Sequence, residues 1–280
     1  MHLVMILAAL GFTWVLRCGE WQLTGNWAER WQKALFLFLF PPLLLLMTAL
    51  AVLCMGPQGQ MIGVQASWFS YFLAAGFLGV AGVLGLKLAF EGWRSLRQVC
   101  TYSTLNLDGK LARILDTDIP FSAQVGFWQS ELVVSRGLLK ALDQEHLDAV
   151  LAHEQAHSYY RDTFWFFWLG WLRRMTAWLP NTEALWQELL VLRELRADGW
   201  AATQVDALLL AESLLAVVTA PILSSENFCA AFSYGVSRDR LSERIDALLA
   251  EPEFPVHSSV WTWRWVILTL LPLVTVPLHN

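Results

Sequence analysis

His153-Glu154-Gln155-Ala156-His157 lies at the end of a stretch in which Leu147, Val150, Leu151 and Ala152 keep a helical apolar period. On a helix, side chains four apart lie one above the other. His153 and His157 therefore turn two imidazoles the same way and can ligate one Zn²⁺, while Glu154 sits beside the coordination position they leave open. A bound zinc lowers the pKa of its water to about 7, and a nearby carboxylate can then take the proton. This is the arrangement of a metalloprotease helix. A five-residue pattern with three specified positions also arises by chance, so its meaning rests on what surrounds it.

A catalytic zinc takes three protein ligands. The other histidines are poorly placed. His2 and His279 are terminal, His146 is on the first turn of the motif helix, and His257 adjoins the last apolar segment. Arg193-Glu194-Leu195-Arg196-Ala197-Asp198 offers more, on a helix expected to run from a cap at Asn181 to about Thr203. Glu194 and Asp198 are four apart and share a face with Leu190, Val191 and Ala197. Glu194 as third ligand, with Asp198 accepting from a histidine N–H, accounts for two acids on an apolar face. A solvated helix whose acids pair with Arg193 and Arg196 accounts for them too.

Only 15% of the 280 residues are charged and 56% are hydrophobic, with sixteen Trp and sixteen Phe. Soluble domains average about 25% charged residues, so this chain reads as an integral membrane protein, whose indoles settle at the headgroup level. A net charge of -5 and the lack of any long basic run argue against nucleic acid as a partner. Cys18, Cys54, Cys100 and Cys229 are widely spaced and suggest neither a disulfide framework nor a thiolate metal site. No basic segment with a small-residue cleavage site marks a signal peptide, so the first apolar segment is expected to stay.

Residues 2–16 are apolar but short for a span, which needs about 17–25 residues. Residues 34–55 and 66–86 are stronger. Pro41-Pro42 in the first is tolerable where neighbours cover the freed backbone groups. Residues 260–278 are apolar but interrupted by Arg264, Pro272 and Pro277, and span only if Arg264 snorkels. Lys and Arg cluster at 17–33 and 87–97 while the 56–65 connector is uncharged. The positive-inside rule then puts residues 87–257 in the cytoplasm. The expected organisation is a three-span membrane region at 1–90, a peptidase domain at 91–259 and a last span at 260–280. Within the domain, residues 122–127 and 131–135 read as a hairpin, Asp143 as the N-cap of the motif helix, and 164–179 as a helix half-sunk in the interface or flooring the site. Further short helices are expected at 207–220 and 242–249.

Glu131-Leu132-Val133-Val134-Ser135, Gly137-Leu138-Leu139, the run from Leu142 to His157, Arg161-Asp162, Glu194 to Asp198 and Arg244-Ile245-Asp246-Ala247-Leu248 together resemble the integral-membrane gluzincins over about residues 120–249. Two groups share these features: the HtpX protease with the prenyl-protein CAAX endoproteases, and the antirepressor sensor-transducers of the BlaR/MecR type. The lead-in Pro120 to Phe127 is closer to the second, although the penicillin-binding sensor domain of that group, and with it β-lactam sensing, is not expected here.

The resemblance implies a mainly α, multi-span membrane protein with a cytoplasmic zinc-peptidase domain containing a small β-hairpin or sheet. It implies Zn²⁺ held by His153, His157 and Glu194, Glu154 as general base and Asp198 behind a ligand histidine. Arg244 is a weaker site candidate, equally readable as a surface arginine paired with Glu243 or Asp246. Tyr159, Tyr160 and Tyr234 are open choices for an oxyanion donor. The implied function is an endopeptidase acting on a cytosolic or juxtamembrane protein, such as a transcriptional repressor. Its control is expected to come through the spans, by a partner membrane protein or by the bilayer itself. The alternatives are HtpX-like quality control of membrane proteins and a non-proteolytic signalling scaffold.

Overall fold

The computed structural model describes residues 2–19, 24–58, 60–61, 64–65, 68–107, 109–219, 240–250 and 264–278. Cys229, Tyr234, His257 and His279 lie outside them. Two compact units form: one from Met1–Leu86, Trp171–Leu189 and Phe254–Asn280, the other from Lys87–Gly170 and Leu190–Glu253.

The first unit is built on α1 (His2–Cys18), α2 (Trp27–Met55) and the first part of α3 (Trp68–Cys100). Asn26 caps α2 by accepting from the Glu29 amide at 2.9 Å. The helix continues through Pro41 and Pro42. A proline at 42 has no N–H for the carbonyl of residue 38. Arg17, buried at the end of α1, reaches that Phe38 oxygen at 3.5 Å and the Pro180 oxygen at 3.4 Å, so a neighbouring helix covers the freed acceptor.

Among the described residues, α2 and α3 are the two helices long and apolar enough to cross a bilayer. Only 17% of the apolar window of α3 is buried, and Phe69, Phe72, Val80, Val83 and Leu86 lie exposed along it. The two outer segments are shorter as regular helices. α1 has 17 residues. The described part of 260–278 is a four-residue α10 (Trp265–Leu268) followed by a 3₁₀ stretch, Leu271–Leu278. Pro272 and Pro277 lack the amide that an α-ladder needs.

The second unit carries a four-stranded sheet in the order β3-β4-β6-β5: Ser103–Leu107, Lys110–Leu115, Ser130–Ser135 and Ser122–Gly126. (β1 and β2 are the two-residue pair Gln60–Met61 and Val64–Gln65 in the first unit.) The hairpin read from the sequence is β5–β6, antiparallel with Ser122 opposite Val134 and Gly126 opposite Ser130. Gly126 closes it at φ 153, where an added Cβ would lie 2.4 Å from the Gln129 carbonyl. The sheet is larger than the hairpin alone, because β4 pairs in parallel with β6. One face packs Ala112, Leu132 and Val134 against Leu147, Val150 and Leu151 of α5 (Gln144–Tyr159). The other packs Val125 and Val133 on Val99. α4 (Arg136–Ala141) links the sheet to α5, and α6 (Asp162–Met175), α7 (Thr182–Ala201), α8 (Ala207–Thr219) and α9 (Leu241–Leu249) follow.

Asp143 does cap α5, accepting from the His146 amide at 3.0 Å. Asn181 does not cap α7 in that way. Its φ is 56 and its side-chain amide donates to the Arg17 carbonyl at 2.8 Å, although its own carbonyl accepts the first helical bond, from Leu185.

Candidate metal centre

α5 turns His153 and His157 to one side, and α7 brings Glu194 to meet them. The two Nε2 atoms are 3.1 Å apart, His153 Nε2 is 3.3 Å from Glu194 Oε2, and His157 Nε2 is 3.7 Å from Glu194 Oε1. One ligand atom from each residue falls within 4.8 Å of the others. Both Nδ1 atoms face carboxylates: His157 Nδ1 is 2.7 Å from Asp162 Oδ2, and His153 Nδ1 is 2.8 Å from Asp198 Oδ1 at an oblique angle. Protons on the Nδ1 atoms leave Nε2 lone pairs converging on a carboxylate, which is repulsive without a cation between them. A tetrahedral zinc with bonds of about 2.0–2.1 Å needs ligand separations near 3.3 Å, and the three observed distances bracket that value. The donor set fits zinc.

The surroundings strengthen the field at this point. Burial alone would lower the His153 pKa, but Asp198 and Glu194 outweigh it and raise it to about 10. What favours a proton there favours a metal cation as well. Burial would raise the Glu194 carboxyl, but Arg193, His157 and Arg244 hold it well below the ordinary range. Asp198 is likewise lowered, by Arg244 and His153 against the effect of burial. Among the described residues, four carboxylates (Glu154, Asp162, Glu194 and Asp198) gather here with three guanidiniums (Arg193, Arg196 and Arg244), a setting that suits a cation between the ligand atoms.

Arg244 belongs to this cluster. It is 6% exposed, donates twice to Asp198 at 2.7 Å, and lies 3.4 Å from Glu194 Oε2. The surface reading with Glu243 or Asp246 is therefore set aside: it is Arg240 that reaches Glu243, at 3.5 Å. The solvated-helix reading of Glu194 and Asp198 also fails, since both are buried. Part of it survives, because Arg193 does pair with Glu194, at 2.6 Å. Arg196 goes instead to Asp162.

Asp162 is a site residue that motif spacing did not single out. α5 ends at Tyr159 with Tyr160 as its C-cap, and Arg161 takes φ 54, a left-handed conformation that costs a non-glycine residue about 1–2 kcal/mol. That turn folds Asp162 back under His157. Its sequence signal was the Arg161-Asp162 pair just past the motif helix. Ser122 of β5 is a second such residue, donating to Glu154 Oε1 at 2.7 Å. His146 is tied to Asp143 at 2.7 Å and stays outside the group. Tyr159 stacks on Trp200 and Tyr160 lies under Arg196, so no described contact brings either to the three ligand atoms.

Among curated proteins no match to the chain is found. Peptidases of family M48 typically use zinc. The model of that family matches residues 112–240, which hold the sheet from β4 onward, the motif helix and Glu194, and the match supports a metallopeptidase.

Proposed function

We propose that this chain is a membrane-embedded, zinc-dependent endopeptidase whose catalytic unit faces the cytoplasm. The observation that carries the proposal is the convergence of His153, His157 and Glu194 with Glu154 buried next to them on α5. His153, His157 and Glu194 would hold the metal, which when bound activates water and polarises a carbonyl. Glu154 takes the proton from the attacking water and returns it to the departing amine nitrogen. Asp162 and Asp198 keep the imidazoles in the tautomer whose Nε2 is free. β5 is the edge strand of the sheet among the described residues, where an extended peptide can add as a further strand.

Purified protein should contain about one zinc per chain and hydrolyse fluorescein-labelled casein until a chelator removes the metal. His157→Ala should lose the zinc. Absence of bound zinc in the wild type, measured by elemental mass spectrometry, overturns this reading.

The bilayer assignment rests on α2, α3 and the exposed apolar side of α3, and the orientation on the basic residues that flank the spans. The substrate is then a cytosolic protein or the cytosolic part of a membrane protein, and the antirepressor resemblance favours a soluble transcriptional repressor. Control passes through the spans, by way of a membrane partner or of the bilayer itself. In a background with Cys18, Cys54 and Cys229 replaced, the exposed Cys100 should resist a membrane-impermeant thiol reagent applied to intact cells, and Gln58→Cys should react. Labelling of Cys100 from outside would reverse the topology.

A further inference from the structure

The face of β5 that meets α5 carries an unexpected residue. In register, Ser122 lies opposite Val134 and Gln124 opposite Leu132, and both partners belong to the apolar layer against α5. An apolar side chain would extend that layer. Ser122 instead spends its hydroxyl on Glu154 Oε1, at 2.7 Å.

The strand that supplies it is pinned. The buried Ser135 donates its amide to the Phe121 carbonyl and accepts from the Phe121 amide through Oγ, both at 2.9 Å, immediately before Ser122. The same Oγ accepts from the Leu138 amide at 3.0 Å, joining the start of α4 to this point. At the far end of the hairpin, Ser130 Oγ is 3.3 Å from Ser158 Oγ, one helical turn beyond Glu154. The hairpin is thus held to α5 at two places.

The terminal torsion of a glutamate is broad and nearly two-fold, so backbone position alone does not aim its oxygens. We propose that Ser122 is a positioning residue for Glu154, fixing one carboxylate oxygen and leaving the other directed at the water to be deprotonated. This rests on the peptidase reading above. It ties the aim of the base to the strand at the sheet edge, so that the orientation of the base depends on how β5 sits. A general base works only when it is within hydrogen-bond reach in the right orientation, and a side chain locked by its neighbours supplies that orientation in advance.

The test uses the full-length, zinc-loaded protein in detergent with fluorescein-labelled casein. Ser122→Ala should lower kcat about tenfold, roughly 1.4 kcal/mol of barrier, with KM within about twofold and zinc content unchanged. Ser122→Thr keeps the hydroxyl and should recover kcat to within about threefold. Glu154→Asp withdraws the carboxylate from Ser122, so adding Ser122→Ala in that background should cost less than about twofold. A wild-type kcat in Ser122→Ala, no recovery in Ser122→Thr, or the same tenfold loss in the Glu154→Asp background would each overturn the assignment. If the wild type itself shows no zinc-dependent hydrolysis, it is the peptidase reading that fails.

Discussion

Glu154→Gln should leave zinc bound and lower hydrolysis by at least about 10²–10⁴-fold, the usual contribution of a positioned acid–base group. The amide has nearly the carboxylate's shape, and its carbonyl oxygen can still accept from Ser122, so the hairpin remains tied to α5. His153, His157 and Glu194 are untouched and metal content stays at the wild-type level. What is lost is basicity, because an amide does not take a proton from water near neutral pH. Zinc content and casein hydrolysis measured on the same preparation separate the two effects. Hydrolysis within tenfold of wild type would show that Glu154 is not the base, and loss of zinc would show that it holds the metal site together instead.

Arg244→Met should be the most damaging substitution outside the ligands, destabilising the catalytic unit by about 3–5 kcal/mol. Asp198 loses two hydrogen bonds of 2.7 Å and Glu194 loses a neighbour at 3.4 Å, both in a buried setting. An arginine on the helix surface would change stability by no more than about 0.5 kcal/mol when replaced. Native-state hydrogen exchange across α7 and α9 reads the difference directly. Replacing both partners, Arg244→Met with Asp198→Leu, should recover part of the lost stability, since no buried charge is left alone. It should not recover metal binding. Without Asp198, His153 loses the carboxylate at its Nδ1 atom, and loss of such a partner costs about 10–100-fold in metal affinity. Exchange rates in the single variant equal to wild type would return Arg244 to the surface.

Much of the site could be read along the chain because its spacing is helical. His153 and His157 share a face of α5 for the same reason that Glu194 and Asp198 share a face of α7, and Asp143 sets where α5 begins. The hairpin was legible from two short β-rich runs around a turn. Such features depend on residues within a few positions of one another, and local geometry alone determines them. The apolar content likewise made α2 and α3 visible as candidate spans.

Tertiary structure decided the rest. The parallel pairing of β4 with β6 joins segments with no shared local pattern, and β3 is too polar and exposed to announce itself. Asn181 was diverted from capping because the Arg17 carbonyl needed its amide. Arg196 and Asp162 meet across 34 positions, and Arg244 reaches Asp198 across 46. The choice between a surface arginine and a buried one turned on whether α9 packs beside α7, which no spacing along either helix encodes. Ser122 was silent for the same reason: a serine in a strand acquires a role only when the fold sets it against the carboxylate of another element.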